Sequence, residues 1–376
     1  MGGMTLTRTT FDAVLRRIPG AEFAAWQGWD WIAGFGNAHA EHRAVRSACG
    51  VWDESPLQKW VLDGPDALVA ADRCFTNDMR SLRPGQLRYG AFCDDDGRML
   101  GDGTVFAFAP DRCWVVTALW SDGEALQEAA AGLDVALSNH TRELPHLQLQ
   151  GPRSRELLER LGGLDLSGLG YYRFMTEPVD LAGVPVTLAR CGYSGELGYE
   201  LYVSPDAAEA EAEAEALWEA LLGSGQVTPY GLNAVETLRQ ESGLIFIDAD
   251  YFPGDTDPYE MNLDHVIRLE KPAFRGQDAL RRIAAAPARR LTTVTVSGDQ
   301  PAVPGGEVRS GGESVGDVRS ACWSPTLERL IAMVVIDAPL IGRGARFDVE
   351  LEPGGTATGV VGDHPIYDTH KLRPRA

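Results

Sequence analysis

The fold of this chain is indicated most clearly by a glycine-rich stretch, which reads Cys191-Gly-Tyr-Ser-Gly-Glu-Leu-Gly-Tyr-Glu-Leu-Tyr202. Three glycines in seven of these residues supply the backbone freedom of a tight turn, and Tyr199–Val203 then has the composition of a β-strand. Side chains alternate along a strand, so we expect Glu200 and Tyr202 on one face and Tyr199 on the other. The stretch therefore predicts a turn followed by a strand that presents a carboxylate among aromatic side chains.

The carboxylate of Glu200 is suited to a flat, donor-rich heterocycle. An ionised carboxylate only accepts hydrogen bonds, and its two parallel oxygens can take two adjacent N–H donors together. A 2-amino-4-oxo-pterin has such a donor pair on its pyrimidine edge. From the residues alone, a hairpin whose glutamate faces water is the alternative interpretation, because short motifs often match by chance.

The run from Gly192 to Glu200 resembles the signature of the glycine cleavage T-protein (aminomethyltransferase) family of folate-dependent enzymes. The resemblance implies that tetrahydrofolate is the cofactor, that Glu200 holds the pterin edge and that Tyr193 lines the same pocket. It extends over nearly the whole chain, from Leu6 to about Arg373. We therefore expect a folate-dependent enzyme, although a shared fold does not by itself fix the reaction.

Length, composition and charge bound the class of protein. With 376 residues, 44% of them hydrophobic and 23% charged, the chain is long enough for two or three globular domains. No apolar run is long enough to span a bilayer, and the N-terminus leads into no signal-peptide core. The net charge of −20 opposes general binding to nucleic acid or to anionic membranes. The six cysteines lie far apart without a Cys-x-x-Cys pair, which argues against a zinc site or a disulfide framework. We therefore expect a cytoplasmic enzyme that binds no metal and acts on a small molecule.

A strand–turn–helix unit occurs twice in the sequence. Trp60-Val-Leu-Asp-Gly-Pro-Asp-Ala-Leu-Val69 has this order, and Leu147-Gln-Leu-Gln-Gly-Pro-Arg-Ser-Arg-Glu-Leu-Leu158 repeats it. Each proline falls in the first helical turn, where its missing N–H has no cost. From Leu291 onward, short alternating strands with frequent turns predict a small β-barrel or sandwich. The sequence thus predicts an α+β fold with two strand–helix lobes and a final β domain.

The T-protein resemblance implies a three-domain cloverleaf built from these duplicated lobes and a C-terminal β-barrel. On that basis we divide the chain into a discontinuous folate-pocket domain over residues 5–60 and 146–282, a second α+β lobe over residues 61–145 and a barrel over residues 288–376. The Gly/Pro-rich stretch that follows Pro287 marks the last boundary.

A second informative segment is a predicted hairpin with an aspartate in its return strand. Asp94-Asp-Asp-Gly-Arg98 supplies the turn between two runs of strand character. Asp102 lies inside the apolar return strand, where an aspartate is disfavoured and costly to bury. The T-protein hairpin carries two aspartates, the second beside the reactive N5/N10 edge of folate, and a tyrosine on the neighbouring strand. The resemblance implies that Asp102 and Tyr89 bind the cofactor and are catalytic; a hydrogen-bonded structural aspartate is the alternative.

Candidate substrate contacts come from apolar and aromatic residues near these motifs. Residues 5–60 are rich in aromatic side chains, which usually pack in cores but can also wall an apolar pocket. We assign Trp29 and Trp120 to such a wall, together with Leu57, which follows Pro56 where T-proteins carry His-Met. These residues are expected to contact the one-carbon donor.

Three departures from the T-protein pattern bear on the reaction. Gly101 replaces the first aspartate of the hairpin, Val235 replaces an arginine, and Pro56-Leu57 replaces His-Met. Dimethylsulfoniopropionate demethylase also lacks the first aspartate, and O-demethylases acting on vanillate or syringate carry a run similar to Leu100-Gly-Asp-Gly103. Both kinds of enzyme move a methyl group to tetrahydrofolate. We therefore expect a tetrahydrofolate-dependent methyltransferase that demethylates a small O-, S- or N-methyl substrate.

Other functions are compatible with the same residues. The first is aminomethyl transfer of the glycine cleavage type, the reaction of T-proteins themselves. The second is a folate-binding accessory protein without catalysis, although the Lys-Gly-Cys-x-x-Gly-Gln-Glu motif of such proteins does not occur here. A folate-independent enzyme on the same scaffold is a further possibility.

Overall fold

The computed structural model of the protein describes residues 5–203 and 210–376. The helices are α1 (Asp12–Leu15), α2 (Ala38–Ser47), α3 (Ala67–Cys74), α4 (Asp122–Ala130), α5 (Ser154–Gly162), α6 (Ala210–Gly223), α7 (Leu232–Glu241) and α8 (Gln277–Ala284). The strands are β1 (Glu22–Trp26), β2 (Trp29–Gly34), β3 (Gly50–Asp53), β4 (Gln58–Asp63), β5 (Gln86–Cys93), β6 (Met99–Ala109), β7 (Arg112–Thr117), β8 (Ala136–Asn139), β9 (His146–Gln150), β10 (Arg173–Phe174), β11 (Val179–Leu181), β12 (Val184–Arg190), β13 (Gly198–Val203), β14 (Thr228–Pro229), β15 (Arg289–Val296), β16 (Glu307–Ser310), β17 (Glu313–Ser324), β18 (Arg329–Asp337), β19 (Arg346–Glu350) and β20 (Thr356–Val361). Two short 3₁₀ helices cover Asp264–Val266 and Ala338–Leu340. This mixture of helices and sheets confirms the predicted α+β class.

One large sheet runs through both lobes. Its strands lie in the order β14-β3-β9-β13-β12-β10-β5-β6-β7-β4-β8, with β11 beside β12, while β1 and β2 form a separate hairpin. The two lobes join where β10 pairs with β5 at Arg173 and Gln86. Next to this pair, the backbone N–H of Phe174 donates to the carbonyl oxygen of Gly85 (3.0 Å). Each lobe contains one predicted repeat unit, β4–α3 or β9–α5, which confirms the duplicated plan.

The C-terminal strands form a closed barrel in the order β15-β18-β17-β16-β19-β20. The barrel closes where β20 pairs with β15, with Val361 opposite Val294. Its interior is apolar and includes Val308, Val334 and Phe347. The predicted β domain is therefore confirmed, and its closed form is a barrel.

Each lobe and the barrel has an apolar core of its own. A further set of buried residues, which we call the junction cluster, lies where the second lobe, the segment before the barrel and the barrel meet. It includes Met99, Tyr251, Met261, Leu280 and Met333. The domain boundaries given above stay predictions, but the junction cluster shows that the barrel is packed against the rest of the molecule.

Across residues 5–203 and 210–376, no helix has the length and apolar character needed to cross a membrane. The six cysteines are free thiols, and all except Cys322 are buried. Burial raises the pKa of Cys49 and of Cys113 to about 12. These two thiols are therefore poor nucleophiles at neutral pH.

Candidate active site

A cavity of about 1100 Å³ lies where the two lobes, the barrel and the C-terminal segment meet. Its lining includes Gln148 and Glu200 from the first lobe, Asp102 from the second, Arg290 from the barrel and Lys371 from the C-terminal segment. Ligand sites usually enclose roughly 300–1,000 Å³. The cavity is therefore large enough to hold a cofactor and a small substrate together.

The strand after the glycine turn places Glu200 in the wall of this cavity. Tyr199 and Leu201 enter the core of the first lobe, whereas Glu200 lines the cavity, as the alternation predicts. The hydroxyl of Tyr202 donates to Glu200 Oε2 (2.7 Å). Burial raises the pKa of Glu200, and the bond from Tyr202 partly offsets this. Because each carboxylate oxygen has two lone pairs, Glu200 keeps acceptor capacity for a ligand.

Close packing around the turn requires glycine at position 195. Gly195 has a φ of +75°, and a Cβ at this position would lie 2.1 Å from Ser242 Oγ. The turn positions Tyr193, whose hydroxyl donates to the carbonyl oxygen of Ile245. The backbone N–H of Tyr193 donates to Gln148 Oε1 (3.1 Å). Tyr193 therefore lines the same cavity as Glu200, as the family resemblance implies.

Asp102 lies within β6, opposite Ala91 of β5, and lines the cavity. Tyr251 donates its hydroxyl hydrogen to Asp102 Oδ1, and Tyr89 lines the cavity near the same carboxyl group. Burial raises the pKa of Asp102, whereas the hydroxyl groups of Tyr251 and Tyr89 lower it. The structure thus brings Asp102 and Tyr89 together, as predicted, and adds Tyr251, which sequence reasoning missed.

A polar group beside Glu200 was also missed. In β9 the polar residues His146 and Gln148 line the cavity, and they alternate with leucines that enter the core. His146 Nε2 lies 2.9 Å from Glu54 Oε2, and Gln148 donates to the same oxygen. This alternation was the available signal, because a strand buried on both faces is usually apolar throughout.

Of the three residues predicted to contact the one-carbon donor, one lies in the cavity lining and two lie outside it. Leu57 lines the cavity, but Trp29 and Trp120 do not. Trp120 is 68% exposed, and Trp29 lies at the first position of β2, beside the hairpin turn. The tryptophans that line the cavity are Trp31, two residues further along β2, and Trp52, with ring centroids 4.9 Å apart. The position along the strand therefore decides which tryptophan reaches the cavity.

Two of the three departures from the family pattern lie outside the cavity. Val235 is buried on α7 in the core of the first lobe. A Cβ on Gly101 would lie 2.5 Å from Phe92 Cζ and 3.0 Å from Asp122 Oδ1. An aspartate at position 101 would therefore require Phe92 to move. Of the three changes, Pro56-Leu57 alone alters the described lining of the cavity.

Basic side chains from the barrel and the C-terminal segment form another part of the wall. They are Arg290, Arg343, Lys371 and Arg375, and His364 and His370 lie beside them. Burial lowers the pKa of His364 to about 4, so this ring is neutral at pH 7. The two barrel arginines pair with Asp264 and Asp363. Within the described residues, no carboxylate lies at ion-pair distance from Lys371 or Arg375. In a chain with a net charge of −20, this unpaired positive charge is suited to the carboxylates of a ligand.

The residues of the cavity fit a bound tetrahydrofolate. Glu200 can accept from the donor pair of the pterin edge, and Lys371 and Arg375 can hold the carboxylates of the glutamate tail. Two buried atoms of lining side chains, Trp52 Nε1 and His146 Nδ1, have no hydrogen-bond partner among the described residues. Buried polar atoms are normally paired, so these two indicate a wall that a polar ligand completes.

The fold and the site together define an α+β one-carbon transferase of the folate-dependent type. The family model described as the GCVT N-terminal domain matches residues 15–271, and the model described as the glycine cleavage T-protein C-terminal barrel domain matches residues 289–368. The chain belongs to the glycine cleavage T-protein family, whose enzymes use tetrahydrofolate.

Similar proteins support this membership over the full length. The aminomethyltransferase of Streptomyces coelicolor is 33% identical over 384 aligned residues, which cover 99% of this chain and 98% of that protein. The trimethylamine-oxide aldolase of Ruegeria pomeroyi is 35% identical over 350 residues, which cover 89% of this chain and 44% of that protein. The crystal structure of the glycine cleavage system aminomethyltransferase T from Bartonella henselae superposes with a TM-score of 0.86 at 25% identity, covering 97% of this chain and 99% of that one. The predicted family, fold, enzymatic class and cofactor are therefore confirmed, while the roles of individual site residues stay predictions.

Proposed function

We propose that the protein moves a methyl group from a small O-, S- or N-methyl compound to tetrahydrofolate, and that it does so in the cytoplasm. The observation that carries the proposal is Asp102, which accepts a hydrogen bond from Tyr251 and lies near Tyr89 in the wall of a cavity of about 1100 Å³. Pro56-Leu57 replaces the His-Met of T-proteins, and this difference favours a one-carbon donor other than a lipoyl arm. The free cysteines support a reducing compartment.

The acidic and basic parts of the wall account for cofactor binding. Tetrahydrofolate supplies the nitrogen that receives the one-carbon unit. Glu200 would hold the pterin edge, with Tyr193 beside it. Lys371 and Arg375 would hold the glutamate carboxylates, because they are the cavity cations without a carboxylate partner in the described chain. Binding at both ends of an extended ligand fixes its register in the cavity.

We assign the handling of the reaction's proton to Asp102. In methyl transfer, the bond between the methyl carbon and the donor heteroatom breaks and a carbon–nitrogen bond forms. The nitrogen loses a proton, and the leaving heteroatom gains one. An ionised Asp102 can accept that proton or stabilise the positive charge that develops beside it. Tyr251 orients the carboxylate through its hydroxyl group, and the hydroxyl of Tyr89 lowers the pKa of Asp102.

The apolar part of the lining suits a small methyl donor. Leu57, Trp31 and Trp52 contribute aliphatic and aromatic surface to the cavity. Such a surface excludes water from the reacting groups and strengthens the electrostatic effect of a nearby carboxylate.

Aminomethyl transfer of the glycine cleavage type is the second candidate. It is favoured by the full-length similarity to aminomethyltransferases, which covers 99% of this chain in the Streptomyces coelicolor comparison. The two reactions give different products. Methyl transfer gives 5-methyltetrahydrofolate, whereas aminomethyl transfer gives 5,10-methylenetetrahydrofolate and ammonia. A folate-binding accessory protein would give neither.

Mass spectrometry of the folate products tests the proposal. The protein is incubated with tetrahydrofolate and a panel of O-, S- and N-methyl compounds, and in parallel with an aminomethyl-lipoyl donor. We expect 5-methyltetrahydrofolate from one of the methyl compounds, with strong loss in Asp102→Asn and none in Asp111→Asn, an exposed aspartate. Formation of 5,10-methylenetetrahydrofolate and ammonia from the lipoyl donor alone would overturn methyl transfer in favour of the second candidate.

A further inference from the structure

Glu54 is a buried acid in the cavity wall, and one of its carboxyl oxygens has no hydrogen-bond partner among the described residues. It follows β3, is 5% exposed and lines the cavity. Its Oε2 lies 2.9 Å from His146 Nε2 and accepts a hydrogen bond from Gln148 Nε2. Within residues 5–203 and 210–376, its Oε1 forms no hydrogen bond. That oxygen is therefore available to a ligand.

Glu200, a second acid that is half-buried, lies in the same wall. Gln148 lies opposite Glu200 in the β9–β13 pairing and donates to Glu54, so the two acids occupy neighbouring parts of the wall. Burial and the nearby charge of Glu200 raise the pKa of Glu54 well above its usual value. Two acids whose charges repel each other in one wall do not both ionise easily. One of the two groups is therefore expected to keep its proton.

Other ionisable groups face Glu54 from the surrounding elements. They are Asp53, Lys59, His146, Cys191, Glu200, Tyr202 and Tyr230. Burial keeps His146 neutral, and it raises the pKa of the thiol and of both phenols. Asp53 accepts hydrogen bonds from Thr9 and Ser55. Lys59 is fully buried, its pKa is lowered to about 7, and its Nζ donates to the carbonyl oxygen of Ser55 (2.8 Å). A single, weakly basic lysine does not neutralise every acid around it.

We propose that Glu54 keeps a proton at Oε1 and donates a hydrogen bond to the 4-oxo group of the pterin. Glu200 accepts hydrogen bonds from the N–H groups beside it on the same edge. This inference rests on the proposed function, because it requires tetrahydrofolate in the cavity. The pterin edge presents two donors followed by a carbonyl acceptor, so a carboxylate beside a protonated carboxyl group matches it. A 4-amino-pterin presents a donor at that position instead. The pair of acids thus favours 4-oxo over 4-amino ligands.

Two substitutions separate a donor role of Glu54 from a packing role. In Glu54→Gln, His146 and Gln148 still bond the oxygen at the Oε2 position. The amide nitrogen then takes the Oε1 position, where it remains a donor. Glu54→Met has a similar size but no donor. Glu143→Gln, at an exposed position, is the matched control.

The test is anaerobic titration calorimetry with tetrahydrofolate and with tetrahydroaminopterin, which differ at position 4. The readout is the ratio of the two affinities. We expect the 4-oxo preference of Glu54→Gln and of Glu143→Gln to equal that of the natural protein within a few-fold. In Glu54→Met it should fall by about tenfold, the usual effect of one lost hydrogen bond to a buried group.

Other outcomes would overturn the inference. If Glu54→Met weakens both ligands equally, Glu54 has only a packing role. If the 4-oxo preference rises in Glu54→Met and in Glu54→Gln, Glu54 is an ionised acceptor that opposes the 4-oxo group, and the inference is wrong. In both cases tetrahydrofolate binding by the natural protein leaves the proposed function intact. If the natural protein binds neither ligand, both the inference about Glu54 and the proposed function are wrong.

Discussion

The hydroxyl group of Tyr251 donates a hydrogen bond to Asp102, although 149 residues separate them in the chain. Asp102 belongs to β6 of the second lobe, whereas Tyr251 belongs to the junction cluster, together with Met333 of the barrel. The environment of Asp102 therefore depends on how the barrel and the segment before it pack against the second lobe.

Replacing Asp102 with asparagine should slow the reaction but leave tetrahydrofolate binding nearly normal. Asparagine has almost the same shape and keeps a carbonyl acceptor for Tyr251, but it can neither hold a charge nor accept the proton. We expect the single-turnover rate with the methyl donor to fall by about 10²–10⁴-fold. Full activity in this variant, combined with loss in Tyr89→Phe or Tyr193→Phe, would assign the proton-handling role to a tyrosine.

The reaction rate should decrease as the pH is lowered through the pKa of Asp102. Burial raises this pKa, so the acidic limb of the kcat/KM profile should lie at higher pH than for an exposed aspartate. The bond from Tyr251 opposes that shift. Tyr251→Phe should therefore move the limb to still higher pH. An unchanged limb in this variant would show that another group controls the profile.

Replacing Glu200 with glutamine should weaken tetrahydrofolate binding. One of the two acceptor oxygens becomes an amide donor that faces the pterin N–H groups. Losing a charge-assisted pair should cost about 2–4 kcal/mol, or roughly 30- to 1,000-fold in affinity. Calorimetry measures this loss, and Glu143→Gln, at an exposed position, is the control. Unchanged affinity in a folded Glu200→Gln variant would remove Glu200 from the folate site.

Asp122 should make the protein less stable as the pH rises. Burial raises its pKa to about 7 in the folded protein, against about 4 in the unfolded chain. Between these values the folded state holds a proton that the unfolded state has released, so the free energy of unfolding falls as the pH rises. Urea titrations at several pH values should show this loss, up to about 4 kcal/mol, relative to Asp122→Asn. Parallel curves for the two proteins would contradict the shift.

Gly101→Ala should destabilise the fold without reaching the cavity. The added methyl group would meet the ring of Phe92 at 2.5 Å, and overpacking of this kind costs about 1–3 kcal/mol. Adding Phe92→Leu should restore part of the loss. Gly168→Ala is the matched control, since no atom lies within 4 Å of the added carbon. Equal stability of both alanine variants would show that Phe92 yields easily.

The sequence predicts those features that depend on local pattern. The alternation of β13 places Glu200 correctly, and the repeated strand–turn–helix unit gives the two lobes. Asp102 is unusual by its sequence position alone, because the residues around it have the apolar character of a buried strand. These predictions succeed because neighbouring residues determine them.

The missed features depend on contacts between distant parts of the chain. Gln148 donates a hydrogen bond to Glu54, 94 residues earlier in the chain. No local sequence pattern at either residue predicts this contact. Trp29 and Trp31 lie on the same face of one strand. Only the three-dimensional position of the hairpin shows that Trp31 lines the cavity and that Trp29 does not. The replacement of an arginine by Val235 was interpreted as a change that bears on the reaction, because sequence similarity does not show which side of α7 faces the core.

The pairing of β10 with β5 has a mechanical consequence. Moving the lobes apart would break the hydrogen bonds at this seam and expose the contact between Phe106 and Phe174, whose ring centroids lie 5.4 Å apart. The backbone pairing at this seam therefore opposes a widening of the cavity between the two lobes. The C-terminal segment around Lys371 belongs to no strand or helix and lines the same cavity. The groups assigned to the reaction thus lie on strands of one sheet, whereas this segment completes the wall from outside that sheet.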